Sequence, residues 1–201
     1  MEKFTIIRST SVSLPRSNID TDQIIPARFL KGTLKSGLGV SLFADWRYHP
    51  DGSPNSAFIL NRPQVSQSRI LLAGDNFGCG SSREHAVWAL LDHGFKAVIA
   101  TSFADIFRNN ALKNGLLPVQ IDPDSNQGLL ELIHATPSIE IEIDLENQTI
   151  TTPDGNEVHF PIDPFARTCL LQGVDELGYL LSLEPWITAF ENRLEKSGEI
   201  V

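Results

Sequence analysis

Residues 69–121 alternate between short apolar runs and segments with helical periodicity, and this alternation limits the possible folds more than any other feature. Three runs are typical of strands buried on both faces: Ile70–Ala73, Ala97–Ala100 and residues 116–121. Segments 83–93 and 104–114 repeat apolar residues at helical spacing, and each stops at a glycine. The second segment is predicted to place three residues on one face: Ile106, Phe107 and Ala111. Short strand-to-helix connections predict parallel strands, hence an α/β fold.

The chain after residue 138 has a different pattern. Apolar and acidic residues alternate over 139–145, which predicts a strand exposed on one face. Two more short strands are predicted between turn residues, at 149–151 and 158–160. Together these strands form an antiparallel meander. The mixture of parallel and antiparallel pairing indicates an α/β domain with two β layers and not a plain doubly wound sheet.

Helical patterns lie before and after this meander. We predict one helix over residues 127–135 and a helical tail over 164–197. Three residues are expected to interrupt the tail: Gly173, Gly178 and Pro185. A length of 201 residues suits one domain, so residues 1–201 are assigned to a single unit.

Residues 31–61 lack clear periodicity and are longer than ordinary connections. The segment contains four glycines and two prolines. It also contains four aromatic residues: Phe43, Trp46, Tyr48 and Phe58. Such a segment is typical of a lid, a binding loop or a segment ordered by a partner. A disordered excursion is the alternative, although four aromatic residues argue against it.

The charge balance excludes several classes of partner. The chain has 25 acidic and 16 basic residues, a net charge of −9, and its basic residues form no stripe. This argues against a nucleic-acid or anionic-membrane surface. No apolar run approaches the roughly 18 residues of a membrane span, and the first residues lack the pattern of a secretory signal. We therefore expect a cytoplasmic protein that binds a small molecule.

Two cysteines, Cys79 and Cys169, lie far apart in the sequence. In a cytoplasmic protein, two free thiols are favoured over a disulfide or a metal-binding pair. An iron–sulfur cluster normally takes about four thiolates, or three with one open iron position. This chain therefore cannot hold such a cluster alone.

The run NFGCGSSREH, residues 76–85, follows a predicted strand and opens a predicted helix. It combines glycines that allow close approach to the backbone, two adjacent hydroxyls, and Arg83 at the start of a helix. Free N–H groups and the helix dipole favour an anion there, so the run predicts a site for a small carboxylic acid or phosphate. Alternatively, Ser81 and Glu84 form a capping box. That alternative leaves the arginine unexplained, because a cation is unfavourable at a helix N-terminus unless an anion neutralises it.

Known catalytic motifs do not fit this run. A P-loop requires a lysine, a dinucleotide fingerprint requires glycine where Arg83 stands, and a nucleophile elbow requires a second glycine. His85 and His93 lie eight positions apart, which does not support a helical metal pair. Cys79 as a reactive thiol is a minor alternative. Three tryptophans are assigned to packing and not to stacking on a ligand: Trp46, Trp88 and Trp186.

A second polar cluster, NIDTDQIIPAR, occupies residues 18–28. Asp20, Thr21 and Asp22 stand ahead of a short apolar stretch, which is typical of a turn or cap before a strand. Alternatively, the two carboxylates and Arg28 position groups in a site.

Both clusters carry a family resemblance. The runs at residues 18–30 and 76–85, with FADIFRNNALKNGLLP (103–118) and DPFARTCLLQG (163–173), closely resemble the small subunits of bacterial 3-isopropylmalate dehydratase. That family belongs to the aconitase superfamily. The resemblance extends from about residue 18 to residue 183, with the motifs in the same order and spacing. It implies a swivelling β/β/α domain like the mobile fourth domain of aconitase, with a C-terminal helical tail.

The resemblance also implies an activity and a partner. The enzyme is a heteromer whose large subunit carries a [4Fe–4S] cluster, and it interconverts 2-isopropylmalate and 3-isopropylmalate by dehydration and rehydration in leucine biosynthesis. Ser81 matches the base that removes a proton next to a carboxylate, and Ser82 and Arg83 match residues that bind a substrate carboxylate. Gly80 is assigned to close approach of substrate. Additional substrate contacts are assigned to the second cluster: Asp20, Thr21, Asp22 and Arg28.

Substrate choice and role leave alternatives open. Relatives use the segment at residues 28–31 to meet the variable substituent, and Phe29 and Leu30 suit an isopropyl group better than a carboxylate. The alternatives are a related dehydratase of the homoaconitase or methylmalate/citraconate type and a non-catalytic carboxylate-binding module. An independent hydrolase using Ser81 lacks a histidine–acid partner set. We further expect the aromatic residues of 31–61 to become ordered against the large subunit.

Overall fold

Seven strands and eight α-helices are present in the residues that the computed structural model describes, 1–30 and 35–197. The strands are β1 (Ile6–Leu14), β2 (Ile70–Ala73), β3 (Ala97–Ala100), β4 (Leu117–Gln120), β5 (Glu140–Asp144), β6 (Thr149–Thr151) and β7 (Glu157–His159). The helices are α1 (Thr21–Ile24), α2 (Ala44–Arg47), α3 (Glu84–His93), α4 (Asp105–Asn114), α5 (Pro123–Ala135), α6 (Pro164–Gln172), α7 (Glu176–Ser182) and α8 (Glu184–Ser197). The predicted α/β fold is confirmed, as is the order of the strands and helices predicted over residues 69–197.

The seven strands form one sheet in the order β4-β3-β2-β1-β5-β6-β7. Strands β4, β3, β2 and β1 are parallel, whereas β5, β6 and β7 form the predicted antiparallel meander on the other side of β1. The long strand β1 belongs to both portions, because residues 6–10 pair with β5 and residues 11–14 pair with β2. The two β layers expected from the sequence are therefore two portions of one curled sheet, joined by β1.

Two hydrophobic cores lie on the two faces of the parallel portion. One contains Leu71 and Val98 with residues of α3 and α4, and it supports the loops described below. The other contains Ile70 and Ile99 together with Ile143 of the antiparallel portion and residues of α5 and α6. Since strand side chains alternate between faces, β2 and β3 each contribute to both cores.

Capping residues set most helix boundaries. Gly94 and Gly115, which follow α3 and α4, adopt positive φ as predicted for helix C-termini. Helix α5 begins before the predicted residue 127, because Asp122 caps it and Pro123 occupies its first turn. Ile106 was predicted to share the buried face of α4, but it is 51% exposed. Ile106 lies beside the stripe formed by Phe107 and Ala111, which are four residues apart. Only that stripe of α4 faces the core.

The segment predicted as a long loop packs against its own chain over the described residues 35–61. Phe43 is fully buried and stacks on Trp46, with ring centroids 5.4 Å apart, and Phe58 packs on both rings. Tyr48 donates a hydrogen bond to the carbonyl of Val40. The expectation that these aromatics need a partner to become ordered is wrong for Phe43, Trp46 and Phe58. Residues 31–34 lie outside the described residues.

The helical tail is confirmed, with breaks that differ in part from the prediction. It turns at Gly173, but Gly178 lies within α7, and the next break is at Leu183. Pro185 lies in the first turn of α8, where backbone N–H groups have no intrahelical acceptor. The missing N–H of proline therefore removes no hydrogen bond from the helix. Trp186 was assigned to packing, yet it is 76% exposed. Among the described residues, no helix is long and apolar enough to span a membrane.

Candidate functional site

Three loops at the carboxyl ends of β1, β2 and β3 form the candidate site, the edge where parallel sheets commonly bind ligands. Backbone hydrogen bonds connect them. The N–H of Asn18 donates to the carbonyl of Asp75 at 2.8 Å, and the N–H of Phe77 donates to the carbonyl of Ser102 at 3.0 Å. The polar run at residues 76–85 therefore lies between the other two loops.

Two glycines of this run occupy positions that other residues could not. Gly78 has φ +76°, and a Cβ there would lie 2.2 Å from the ring of Phe107. Gly80 has φ +91°, and a Cβ there would lie 2.2 Å from a carboxylate oxygen of Asp20. Positive φ and contact with neighbouring side chains both exclude a Cβ. The loop is therefore shaped by contacts that only glycine permits.

The alternative interpretation of a capping box at the start of α3 is wrong. Helix α3 begins at Glu84, and its N-cap is Arg83, which makes no side-chain capping hydrogen bond. Ser81 and Ser82 lie outside the helix and are exposed. The serines do not adopt the N-cap position because the helix starts two residues later, after Arg83, whose backbone is extended. The two serines therefore directly precede Arg83 and the first turn of α3, and the N-terminus of a helix favours a bound anion.

The second polar cluster lies directly against this loop. The N–H of Gly78 donates to the carbonyl of Ile19, and the N–H of Thr21 donates to the carbonyl of Cys79, both at 2.8 Å. Asp20 caps α1 by accepting a hydrogen bond from the N–H of Asp22 at 2.6 Å. The predicted cap is thus confirmed, but the expected strand after it is wrong. A capping box completed by Gln23 starts a short helix there.

Thr21 faces inward and not toward the site opening. Its side chain is 1% exposed, and its hydroxyl donates to the carbonyl oxygen of Ser81 at 3.0 Å. This places Thr21 behind the main chain of the serine that the resemblance assigns as base.

Arg83 is ion-paired with Asp22. The Arg83 side chain is only 16% exposed, whereas that of Asp22 is 50% exposed. The hydrogen bond from Arg83 holds the pKa of the Asp22 carboxyl below its usual range, and burial opposes this shift. The second guanidinium nitrogen, Nη2, lies 3.4 Å from the hydroxyl of Ser81. The sequence indicated that Arg83 needs a neighbouring anion at the helix N-terminus. Asp22 of the same chain supplies that anion.

Arg28 is not brought into the same set of contacts. It pairs with Asp45, and its guanidinium lies over the ring of Phe29 at 4.7 Å. Both members of the pair are more than half exposed, and they line a cleft of about 670 Å³ with Phe29, Val40 and Tyr48. Arg28 is connected to the serine loop indirectly. The N–H of its neighbour Ala27 donates a hydrogen bond to the Asp22 carboxyl and lowers the pKa of that carboxyl, and Asp22 in turn pairs with Arg83.

Asp75 and Ser102 support the loop but were not singled out in the sequence. The hydroxyl of Ser102 donates to the Asp75 carboxylate at 2.5 Å and accepts from the N–H of Asn76 at 2.8 Å. The side chain of Asn76, a residue with φ +53°, donates to Asn18. Hydrogen bonds from Ser102 and then Thr101 lower the pKa of Asp75. The available sequence signal was that polar residues directly follow both β2 and β3.

Cys79 does not have the environment of a reactive thiol. Burial, and next the negative charge of Asp20, raise the pKa of the Cys79 thiol. Both cysteines are free, as predicted. The minor alternative of a nucleophilic cysteine is therefore disfavoured, since a nucleophilic thiol needs a lowered pKa.

Comparisons with known proteins match nearly the whole chain. The family model described as the Aconitase C-terminal domain matches residues 1–124, and the model described as LeuD_N matches residues 127–164. The 3-isopropylmalate dehydratase small subunit of Anaeromyxobacter dehalogenans is 62% identical over 191 residues, covering 95% of this chain and 98% of that protein. This chain belongs to the 3-isopropylmalate dehydratase small-subunit family.

Other members of the small-subunit family agree with this assignment. The protein of that name from Roseiflexus sp. (strain RS-1) is 59% identical over 95% of this chain and 94% of its own length. The crystal structure of 3-isopropylmalate dehydratase from Methanocaldococcus jannaschii matches with a TM-score of 0.66 and 28% identity. That match covers 92% of this chain and 99% of the archaeal chain. The expected aconitase-type α/β fold is thus confirmed.

Proposed function

We propose that this chain is the small subunit of a heteromeric hydro-lyase that interconverts 2-isopropylmalate and 3-isopropylmalate in leucine biosynthesis. Family membership supports the reaction. The observation that carries the proposal is the exposed pair Ser81 and Ser82 at the start of α3, beside the guanidinium of Arg83. The proposal places this activity in the cytoplasm.

Ser81 acts as the base in this proposal. Dehydration requires removal of a proton from the carbon next to a carboxylate, and the Ser81 hydroxyl oxygen accepts that proton as an alkoxide. Serine is a weak base unless its alkoxide is stabilised. The N–H groups that open α3 and the nearby Nη2 of Arg83 provide positive potential at this oxygen. Removing one such donor typically costs about 10²–10³ in rate.

Ser82 and Arg83 bind a substrate carboxylate in this scheme. The two terminal guanidinium nitrogens of Arg83 have different neighbours. Nη1 pairs with the Asp22 carboxylate, and Nη2 lies near the Ser81 hydroxyl. A carboxylate that approaches the serines therefore shares the guanidinium with Asp22 or displaces it. Asp22 also holds the guanidinium in place before substrate arrives, which lowers the cost of ordering it on binding.

The residues of this chain do not fit the family's [4Fe–4S] cluster. Such a cluster needs about three or four thiolates, whereas Cys79 and Cys169 are the only two cysteines. Within residues 1–30 and 35–197, no group of three His, Cys, Asp or Glu side chains could hold a metal ion. We therefore assign the cluster to the large-subunit partner. This chain contributes the base and the carboxylate contacts.

The substrate is assigned from the apolar residues beyond Asp22. Phe29 and Leu30 are half-buried and pack against the core, and Phe29 also lines the cleft with Val40 and Tyr48. An isopropyl group fits such a surface without losing hydrogen bonds, whereas a carboxylate would pay a desolvation cost there. Isopropylmalate is therefore favoured over citrate or homocitrate.

Reconstitution tests this function. The purified chain is assayed alone and with its cluster-bearing large subunit, with isopropylmalate, citrate, homocitrate and methylmalate as substrates. We expect isomerisation of isopropylmalate only in the complex, and loss of at least about 10²-fold in kcat for Ser81→Ala. Ser138→Ala removes an exposed serine hydroxyl between α5 and β5 and should leave kcat unchanged.

Three outcomes would contradict the proposal. Activity of the chain alone would show that no partner is needed. Preference of the complex for citrate, homocitrate or methylmalate would assign a related dehydratase. Tight binding of isopropylmalate without turnover in the complex would favour a carboxylate-binding module.

A further inference from the structure

We infer that Thr21 is a positioning residue that fixes the main chain of Ser81 and thereby aims the Ser81 hydroxyl at the substrate carbon. The inference rests on the proposed role of Ser81 as base. It assigns Thr21 a function different from the substrate contact expected from the sequence. The buried hydroxyl acts through Ser81 and does not touch the substrate.

The contact extends a short ladder between two segments. Ile19 and Thr21 pair through backbone hydrogen bonds with Gly78 and Cys79, and this pairing ends at the carbonyl of Cys79. Two residues later, the Thr21 hydroxyl donates to the carbonyl of Ser81 at 3.0 Å. A side chain thus continues the connection beyond the point where the backbone pairing stops.

Within residues 1–30 and 35–197, few other contacts fix the main chain at Ser81. Gly80 precedes it with φ +91°, and Ser81 lies before the first helical residue, Glu84. The N-cap residue Arg83 makes no side-chain capping bond that would fix this turn. The carbonyl carbon and the Cβ of Ser81 are both bonded to its Cα. Fixing the direction of the carbonyl therefore restricts where the Cβ and the hydroxyl can lie, and Thr21 holds that carbonyl.

Thr21 is itself rigidly held. It is 1% exposed, its N–H donates to Cys79, and its carbonyl accepts from the N–H of Ile25 at 2.9 Å. It is also the first residue of α1, which Asp20 caps. A hydroxyl on such a fixed residue holds its acceptor within a narrow range of directions. Displacing a catalytic group by about 1 Å can cost about 10²-fold in rate, so this control matters for turnover.

Substitutions that keep the volume of Thr21 test the inference in the reconstituted complex. Thr21→Val removes the hydroxyl, and we expect kcat to fall about 10- to 100-fold. KM should stay within about twofold, because Asp22 holds the carboxylate-binding Arg83 independently. Thr21→Ser restores the donor and should keep kcat within about threefold of the wild type.

A second pair of variants covers the case in which Thr21→Val fails to assemble. Thr21→Ser and Thr21→Cys have similar size, but a thiol is a weak donor. We expect the cysteine variant to lose kcat relative to the serine variant. Equal kcat values for the two would overturn the inference. Thr149→Val removes a buried hydroxyl from β6 and serves as a control for stability effects, with kcat expected to be unchanged.

Ser81→Ala in the same complex distinguishes a failure of the positioning role of Thr21 from a failure of the proposed base role of Ser81. If Ser81→Ala is inactive while Thr21→Val keeps the wild-type kcat, the positioning role is overturned and the proposed function stands. If Ser81→Ala is fully active, the base role fails and the positioning role fails with it. A rise in KM at constant kcat in Thr21→Val would also overturn the inference, because Thr21 would then act on substrate binding.

Discussion

The guanidinium of Arg83 is ion-paired with the carboxylate of Asp22, a residue 61 positions earlier in the chain. This pairing explains how an arginine is tolerated at the N-terminus of α3, where a cation opposes the helix dipole. It also connects the two polar clusters of the sequence through one pair of opposite charges. In the free chain, the anion beside Arg83 is internal, and a bound carboxylate has to share or replace it.

The Asp22 carboxyl should titrate below the ordinary aspartate value of about 3.9. Its pKa is lowered first by the hydrogen bond from Arg83. Because the pKa in the folded state is lowered, the pair stabilises the fold above the unfolded value, and this stabilisation is lost as the pH falls through the folded value. Carboxyl-carbon NMR titration of the isolated chain measures this directly.

Arg83→Gln is the control for this titration. The pKa of Asp22 should rise in the variant, because the main cause of its lowering is absent while burial still raises it. An Asp22 pKa that is the same in both proteins would contradict the pairing.

Gly80→Ala should be more damaging than an alanine at another glycine with positive φ. Gly155, in the turn between β6 and β7, has φ +85°, and a Cβ there would have no atom within 4 Å, whereas a Cβ at Gly80 would meet the Asp20 carboxylate. We expect Gly155→Ala to lower the free energy of unfolding by about 1–2 kcal/mol. Gly80→Ala should cost about 1–3 kcal/mol more, because the carboxylate must move. Chemical denaturation compares the two, and equal losses would show that Asp20 does not contact Gly80.

Phe43→Ala should destabilise the isolated chain by about 3–5 kcal/mol. Phe43 is fully buried and stacks on Trp46 of the same chain. Val40→Ala in the same segment is the matched control and should change stability by less than about 0.5 kcal/mol, since Val40 is 68% exposed. Thermal or urea denaturation of the isolated chain gives both values. A harmless Phe43→Ala would restore the idea that a partner orders these aromatics.

Cys79 should react slowly with iodoacetamide at neutral pH. Burial and then the charge of Asp20 raise the pKa of the thiol, so little thiolate is present. Peptide mapping of the folded chain should show much slower alkylation than in the urea-unfolded chain. Rapid modification in the folded state would revive the nucleophilic cysteine.

Local patterns predicted most elements correctly because their causes are local. The apolar runs at Ile70–Ala73 and Ala97–Ala100 are strands, and Gly94 and Gly115 end the helices that precede them. Where the sequence allowed two local structures, the prediction failed. The apolar residues after Asp22 were expected to form a strand, but Asp20 and Gln23 cap a helix over Thr21–Ile24. A run of two isoleucines is too short for periodicity to distinguish the two.

Most of the predicted site residues lie near one another, but several of their contacts differ from those expected, and their roles stay predictions. The two clusters were expected to serve one site, and they do lie together. The capping role of Ser81, however, did not occur, and Thr21 proved to be buried behind that serine. Asp75 and Ser102 were missed because their importance depends on three loops meeting at one edge of the sheet.

The fold class, the family and the residues of the candidate site could all be predicted from the sequence, because strand and helix periodicity, glycine spacing and short motifs are properties of adjacent residues. Three contacts emerged only in the folded molecule: the carboxylate that neutralises Arg83, the hydroxyl that holds Ser81, and the packing of Phe43 on its own chain. The difference lies in distance along the chain. Asp22 and Arg83 are 61 positions apart, and their meeting depends on parallel pairing of β1 with β2.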